Sequence, residues 1–130
     1  MGRDKKNEKR VGHFAKMTRI MMETPAWRAL SPVAQALYPW IRLEWKGPDV
    51  NNNGKIRLSV RQAEQRLGVS RNTAAGGFRE LQAKGFLVVT EGARLGLGGS
   101  AKSPTFELTE IALPNQREGR RLYREWQEGH

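Results

Sequence analysis

Apolar side chains recur at helical spacing through the first half of the chain and gather into strand-like runs in the second. Ala34, Leu37, Ile41 and Trp45 form one stripe behind Ser31-Pro32, an N-cap followed by proline at the first helical position. Pro39 falls inside that stripe and predicts a kink. Upstream, Phe14, Met17, Ile20 and Met21 predict a short helix or extended lead-in. Thr24-Pro25 then starts another turn, with Trp27 and Leu30 facing inward. Asn51-Asn-Asn-Gly54 reads as a turn and Lys55 to Leu58 as a short strand. Val60, Ala63 and Leu67 face inward from a helix capped by Ser59, with Gln62 three residues on to complete a capping box. Gly68 closes it, and Ser70 caps the next helix, whose stripe is Ala74, Phe78 and Leu81.

Beyond Gly85 the period changes. Phe86 to Thr90 reads as a strand, and Thr105 to Thr109 alternates as a half-buried one. The Gly-rich stretch between them, carrying Arg94 and Lys102, reads as a basic wing. After Pro114, Leu122, Tyr123 and Trp126 share one face of an expected C-terminal helix, with arginines on the others. These elements predict an α+β chain, mainly α, in one domain over residues 13–113. A flexible basic tail (1–12) precedes it. A basic amphipathic helix (114–130) follows, packed on the domain or at a dimer contact.

Composition sharpens this picture. The 130 residues hold 23 Lys plus Arg against 13 Asp plus Glu, a net charge of +10, and no cysteine. Mean hydropathy is −0.68 and the pI about 10.7. Such a basic excess favours a polyanion partner. No run approaches the ~18 apolar residues of a membrane span, and no apolar segment follows the basic start as a secretory signal requires. Cysteine-free and basic, the chain is expected in the cytoplasm, associated with the nucleoid.

Helix, strand, two helices, strand, wing, strand is the order of a winged helix domain. The stretch LSVRQAEQRLGVSRNTAAGGFRELQAKGFLVV resembles the winged helix-turn-helix of many small bacterial DNA-binding proteins, including those of phages and integrative elements. Leu67-Gly68-Val69-Ser70, Thr73, Leu81 and Gly85-Phe86 carry the likeness, and Trp27-Arg-Ala-Leu-Ser31 and Phe106-Glu-Leu-Thr109 extend it. The resemblance implies a three-stranded antiparallel wing sheet, extra N- and C-terminal helices, and a role in transcriptional control or replication. It also implies a long polar side chain where this chain has Ala75 and Gly76.

On this reading the helix from about Arg71 to Lys84 enters a major groove of double-stranded DNA. Arg71 is placed to fork onto guanine and Asn72 onto adenine, each good pair worth ~1–3 kcal/mol of discrimination. Ser70 and Thr73 suit phosphate or capping, and Arg79 phosphate. Arg61 and Gln62 would touch backbone, and Arg94 and Lys102 the minor groove. Ala75 and Gly76 would let the helix approach DNA closely, and Gly77 the preceding helix. A solvated surface position competes with each arginine, and capping alone accounts for Ser59, Gln62 and Ser70. One such helix reads few base pairs, so a homodimer or cooperative array is the usual route to specificity.

Enzymatic readings fail on inventory. His13 and His130 lie near the ends, without a fixed carboxylate or nucleophile. Arg94 to Ser100 lacks the Gly-Lys-Ser/Thr ending of a phosphate loop and precedes a strand. No metal, cofactor or small-molecule ligand is expected. A protein-interaction module, or a non-specific architectural nucleic-acid binder, is the competing class. RNA binding is disfavoured because the tryptophans sit on apolar faces.

Overall fold

The computed structural model describes residues 12–92, 94–95 and 101–129; the basic tail and the centre of the glycine-rich stretch lie outside the described residues. Two four-residue helical turns come first, α1 (Arg19–Met22) and α2 (Pro25–Arg28), capped by Thr18 and Thr24. They lead into α3 (Pro32–Arg42), whose cap is Ser31. The helix-turn-helix pair follows as α4 (Val60–Leu67) and α5 (Arg71–Ala83). β1 (Leu87–Glu91) and β4 (Thr105–Leu108) then pair antiparallel, with β2 (Arg94–Leu95) and β3 (Ala101–Lys102) continuing the hairpin outward.

The core fills the space between α3, α5 and the β1–β4 face. Leu37, Tyr38, Ile41, Leu81, Phe86 and Leu108 are among its fully buried members. Trp27, Tyr38 and Phe86 meet edge to face at centroid distances of 5.5 to 5.9 Å, each such pair adding ~0.5–1.5 kcal/mol beyond area burial. Helix α3 runs unbroken through Pro39. It ends at Arg42, so Trp45 lies beyond it.

Several expectations are corrected. The wing sheet is two-stranded, not three-stranded. Lys55–Leu58 contributes a single bridge, from Ile56 to Phe106: towards Leu58 the next antiparallel partner is Pro104, which has no N–H to give, and towards Gly54 a side chain has taken the place on β4. The buried Asn53 accepts the Leu108 N–H at 2.7 Å and donates to the Leu108 carbonyl at 3.0 Å, as a neighbouring strand residue would. Its amide also reaches the Ile111 carbonyl at 2.8 Å. The Asn-Asn-Asn-Gly turn is therefore a polar clamp that substitutes for a third strand.

β4 is buried along its whole length and does not alternate. Glu107 tolerates burial because Arg120 grips it with two bonds, at 3.0 and 2.5 Å. Arg120 lies in the C-terminal segment, which is not the expected amphipathic helix. Arg121 adopts a left-handed conformation (φ 49°) and donates its N–H to the Thr109 carbonyl at 2.7 Å. Only one 3-10 turn, Leu122–Glu125, follows. The segment does dock on the domain: the Tyr123 ring stacks on Phe86 at 4.8 Å. Two glycines make room. A Cβ at Gly85 (φ +86°) would lie 2.8 Å from the Leu122 and Tyr123 backbone, and one at Gly119 2.5 Å from the Thr109 carbonyl oxygen.

Near the N-terminus the Phe14, Met17, Ile20 and Met21 stripe does not form. Residues 13–18 form no regular element, and of the four only Met21 is fully buried. A polar cluster ties this region to the end of β4. Glu110 accepts from the Tyr38 hydroxyl at 2.6 Å, from Arg42 at 3.4 Å and from Thr18 at 3.4 Å. Burial, and then the Glu110 charge, push the Tyr38 phenol well above its ordinary range. Among the described residues, no helix is long and apolar enough to cross a membrane.

Candidate nucleic-acid interface

Local capping chemistry builds the α4–α5 unit. The Ser59 hydroxyl accepts the Gln62 N–H at 3.0 Å, and the Gln62 side-chain oxygen accepts the Ser59 N–H at 2.9 Å. This capping box fixes the start of α4. Gly68 ends it at φ 67°, a left-handed value that suits glycine, and Ser70 caps α5 two residues later. The Ser70 hydroxyl accepts the Thr73 N–H at 3.2 Å and donates to the Thr73 hydroxyl at 2.9 Å. Gln62, Ser70 and Thr73 are thus committed first to helix ends.

Burial then decides which side of α5 is free. Ala74, Gly77, Phe78 and Leu81 face the core. Gly77 is required by α3 rather than by the preceding helix α4: a Cβ there would stand 3.1 Å from Leu37 Cδ2 and 3.5 Å from Val33 Cγ1. The opposite side presents Arg71, Asn72, Thr73, Arg79 and Gln82 as exposed residues, with Ala75 and Gly76 half-buried among them. A Cβ on Gly76 would meet only the end of the Arg79 side chain, at 3.6 Å, so the helix surface there is open.

No carboxylate stands on this exposed side. The single acid of α5, Glu80, turns to Ser31, accepting its N–H and hydroxyl. Glu64 on α4 is the nearest competing charge, and it pairs with Arg71 at 3.5 Å. The Arg71 side chain is 72% exposed, so this contact adds little to stability. It holds the guanidinium beside the helix N-terminus. Asn72 has no hydrogen-bond partner among the described residues.

Arg61 is exposed in the first turn of α4, on the border of the same surface. Arg94 and Lys102 pair in register across β2 and β3; the reach of their side chains lies outside the described residues. Sequence reasoning missed Arg57. Its guanidinium donates to the Ser103 carbonyl at 2.9 Å, placing an exposed cation at the foot of the hairpin. The alternation of Lys55 and Arg57, exposed, with Ile56 and Leu58, buried, carried that signal. Between α5 and the sheet lies an apolar cleft bordered by Val60, Ala75, Phe78, Val89 and Phe106, with Arg79 at its edge. The Phe78 and Phe106 rings stack at 5.5 Å beneath it.

Trp40 departs from the expected all-core tryptophans. It is partly exposed and lies under the Arg66 guanidinium at 5.4 Å. Among the described residues, no cluster of three His, Asp or Glu could hold a metal ion. No family model matches the chain, nor does any curated protein or solved structure.

Proposed function

We propose that this chain binds double-stranded DNA by laying the exposed side of α5 in the major groove. The observation that carries the reading is the acid-free stripe along α5: Arg71, Asn72, Ala75, Gly76, Arg79 and Gln82, with the helix's one carboxylate turned inward to Ser31. Arg71 and Asn72 supply the two side-chain types that engage guanine and adenine edges bidentately. The small pair Ala75 and Gly76 lets the helix axis come close to base edges and favours contact with a thymine methyl. Arg57, Arg61 and Arg79 border the stripe as phosphate partners, supported by a net charge of +10. Gln62, spent on its capping box, is a scaffold residue in this reading. The resemblance drawn from the sequence supports a role for such binding in transcriptional control or replication.

The test is fluorescence anisotropy with a random duplex and with a site selected from a pooled library, across a salt series, using wild type and Arg71→Ala. The selected site is expected to bind far more tightly than random DNA and to lose that advantage with Arg71→Ala. Equal, weak binding to all duplexes, unchanged by Arg71→Ala, overturns the reading and leaves an acidic protein as the partner for this surface.

A further inference from the structure

A second basic site lies away from α4, α5 and the hairpin. The irregular segment 13–18 crosses the end of α3 and leaves an open pocket lined by His13, Phe14, Lys16, Arg42, Trp45 and Lys46. Among the described residues, no carboxylate lines it. Arg42 is largely neutralised by Glu110 and lies over the Trp45 ring at 4.9 Å, so both belong to the wall. His13 is likewise engaged, its Nε2 lying 2.8 Å from the Leu43 carbonyl oxygen. Three side chains remain uncommitted. Lys16 and Lys46 are exposed and without a partner among the described residues, and Phe14, 79% exposed, is the most exposed large apolar side chain among them.

An aromatic ring held in solvent beside two unpaired ammonium groups is poor packing and a good receptor. The ring offers a stacking face to a planar base, while the ammoniums offer two positive charges to an oxyanion. The geometry points to a nucleotide-binding pocket, in which a nucleoside diphosphate stacks its base on Phe14 and sets its phosphates between Lys16 and Lys46. A free nucleotide fits better than a polynucleotide because, among the described residues, two unpaired ammonium groups border the pocket, enough to offset most of the charge of one diphosphate and not that of a longer phosphate chain. The site is independent of DNA binding by α5, so either reading can fail alone.

Calorimetric titration of the full chain at low ionic strength, with ADP, adenosine, pyrophosphate and a short oligothymidylate, tests it. ADP is expected to bind in a one-to-one ratio, with adenosine and pyrophosphate each at least about tenfold weaker, since each lacks one half of the recognition. Phe14→Ala should weaken ADP about tenfold and leave pyrophosphate unchanged. The double variant Lys16→Gln/Lys46→Gln should lose ADP binding. All three side chains are exposed, so thermal midpoints should match wild type. ADP binding no tighter than pyrophosphate, or unaffected by Phe14→Ala, overturns base stacking and with it the proposal. Binding of the oligothymidylate without ADP, or no binding of any probe, overturns it as well.

Discussion

The Glu80 carboxylate, the one acid of α5, accepts both the N–H and the hydroxyl of Ser31, at 2.8 and 2.6 Å. That contact joins the last third of α5 to the N-cap of α3. It also clears negative charge from the surface proposed to meet DNA. Glu80→Ala would leave the Ser31 N–H without its partner and is expected to cost about 1–3 kcal/mol. Urea denaturation followed by far-UV circular dichroism measures it. A loss below ~0.5 kcal/mol, the size of an ordinary surface substitution, would mean the contact is not formed in solution.

Arg71 and Glu64 form the opposite kind of pair, exposed and weak. Glu64→Gln removes both the competitor for Arg71 and a negative charge near the groove. Affinity for duplex DNA should rise several-fold, while stability changes by no more than ~0.5 kcal/mol. Unchanged or weaker DNA affinity would remove Arg71 from the contact surface.

Gly76 and Gly77 should respond in opposite directions. Alanine at Gly76 meets only a flexible arginine end, and it should stabilise the helix by about 0.5–1 kcal/mol while weakening DNA binding through loss of close approach. Valine at Gly77 drives into Leu37 and Val33 and should destabilise by about 1–3 kcal/mol. Thermal unfolding of the two variants, together with DNA titration of Gly76→Ala, separates packing from recognition.

Removing Arg120 strands the Glu107 carboxylate, whose side chain is only 3% exposed. Arg120→Ala is expected to cost about 2–4 kcal/mol, short of the full penalty for a buried pair because Arg120 is itself half in solvent. Denaturant midpoints of Arg120→Ala and of the double variant Arg120→Ala/Glu107→Leu give the comparison, and the leucine should restore much of the loss.

Stability should fall on the alkaline side. Tyr38 and Tyr123 are both shifted up, chiefly by burial, so they keep their protons in the folded chain at pH values where the unfolded chain has lost them. Above about pH 10, the ordinary tyrosine value, the folded state binds more protons than the unfolded one, and stability declines as pH rises. Below that value the contribution is fully present. Tyr38→Phe should flatten the decline, at a cost of about 1–2 kcal/mol at neutral pH for the lost bond to Glu110. A wild-type profile that stays flat past pH 11 would contradict the buried phenol.

What could be read from the sequence was what local chemistry decides. Ser31-Pro32, Ser59 with Gln62, and Ser70 each announce a helix start through atoms within three or four residues. The stripe Ala74, Phe78 and Leu81 identified the inward side of α5, and so its exposed side. The third strand stops at one bridge because Pro104 has no N–H to offer opposite Leu58, and because Asn53, a turn residue by composition, uses its amide to occupy the other end of the β4 edge across more than fifty residues of chain. The C-terminal helix was misread for a related reason. Leu122, Tyr123 and Trp126 have helical spacing, but Arg121 is held by the Thr109 carbonyl in a conformation that α-helix excludes. Periodicity reports which residues want burial; it does not report which backbone partner reaches them first.

Tyr123 on Phe86 gives the order of synthesis a physical meaning. The ribosome delivers α3, α4, α5 and both strands of the hairpin before it delivers the ring that covers Phe86 or the guanidinium that neutralises Glu107. Until that stretch emerges, the nascent domain carries a bare aromatic face and an unanswered buried acid. Exposed surface of that kind is what chaperones and proteases recognise. The arrival of residues 119–126 completes the cover over Phe86 and the pairing of Glu107, and ribosomes stalled just short of it should yield protease-sensitive products.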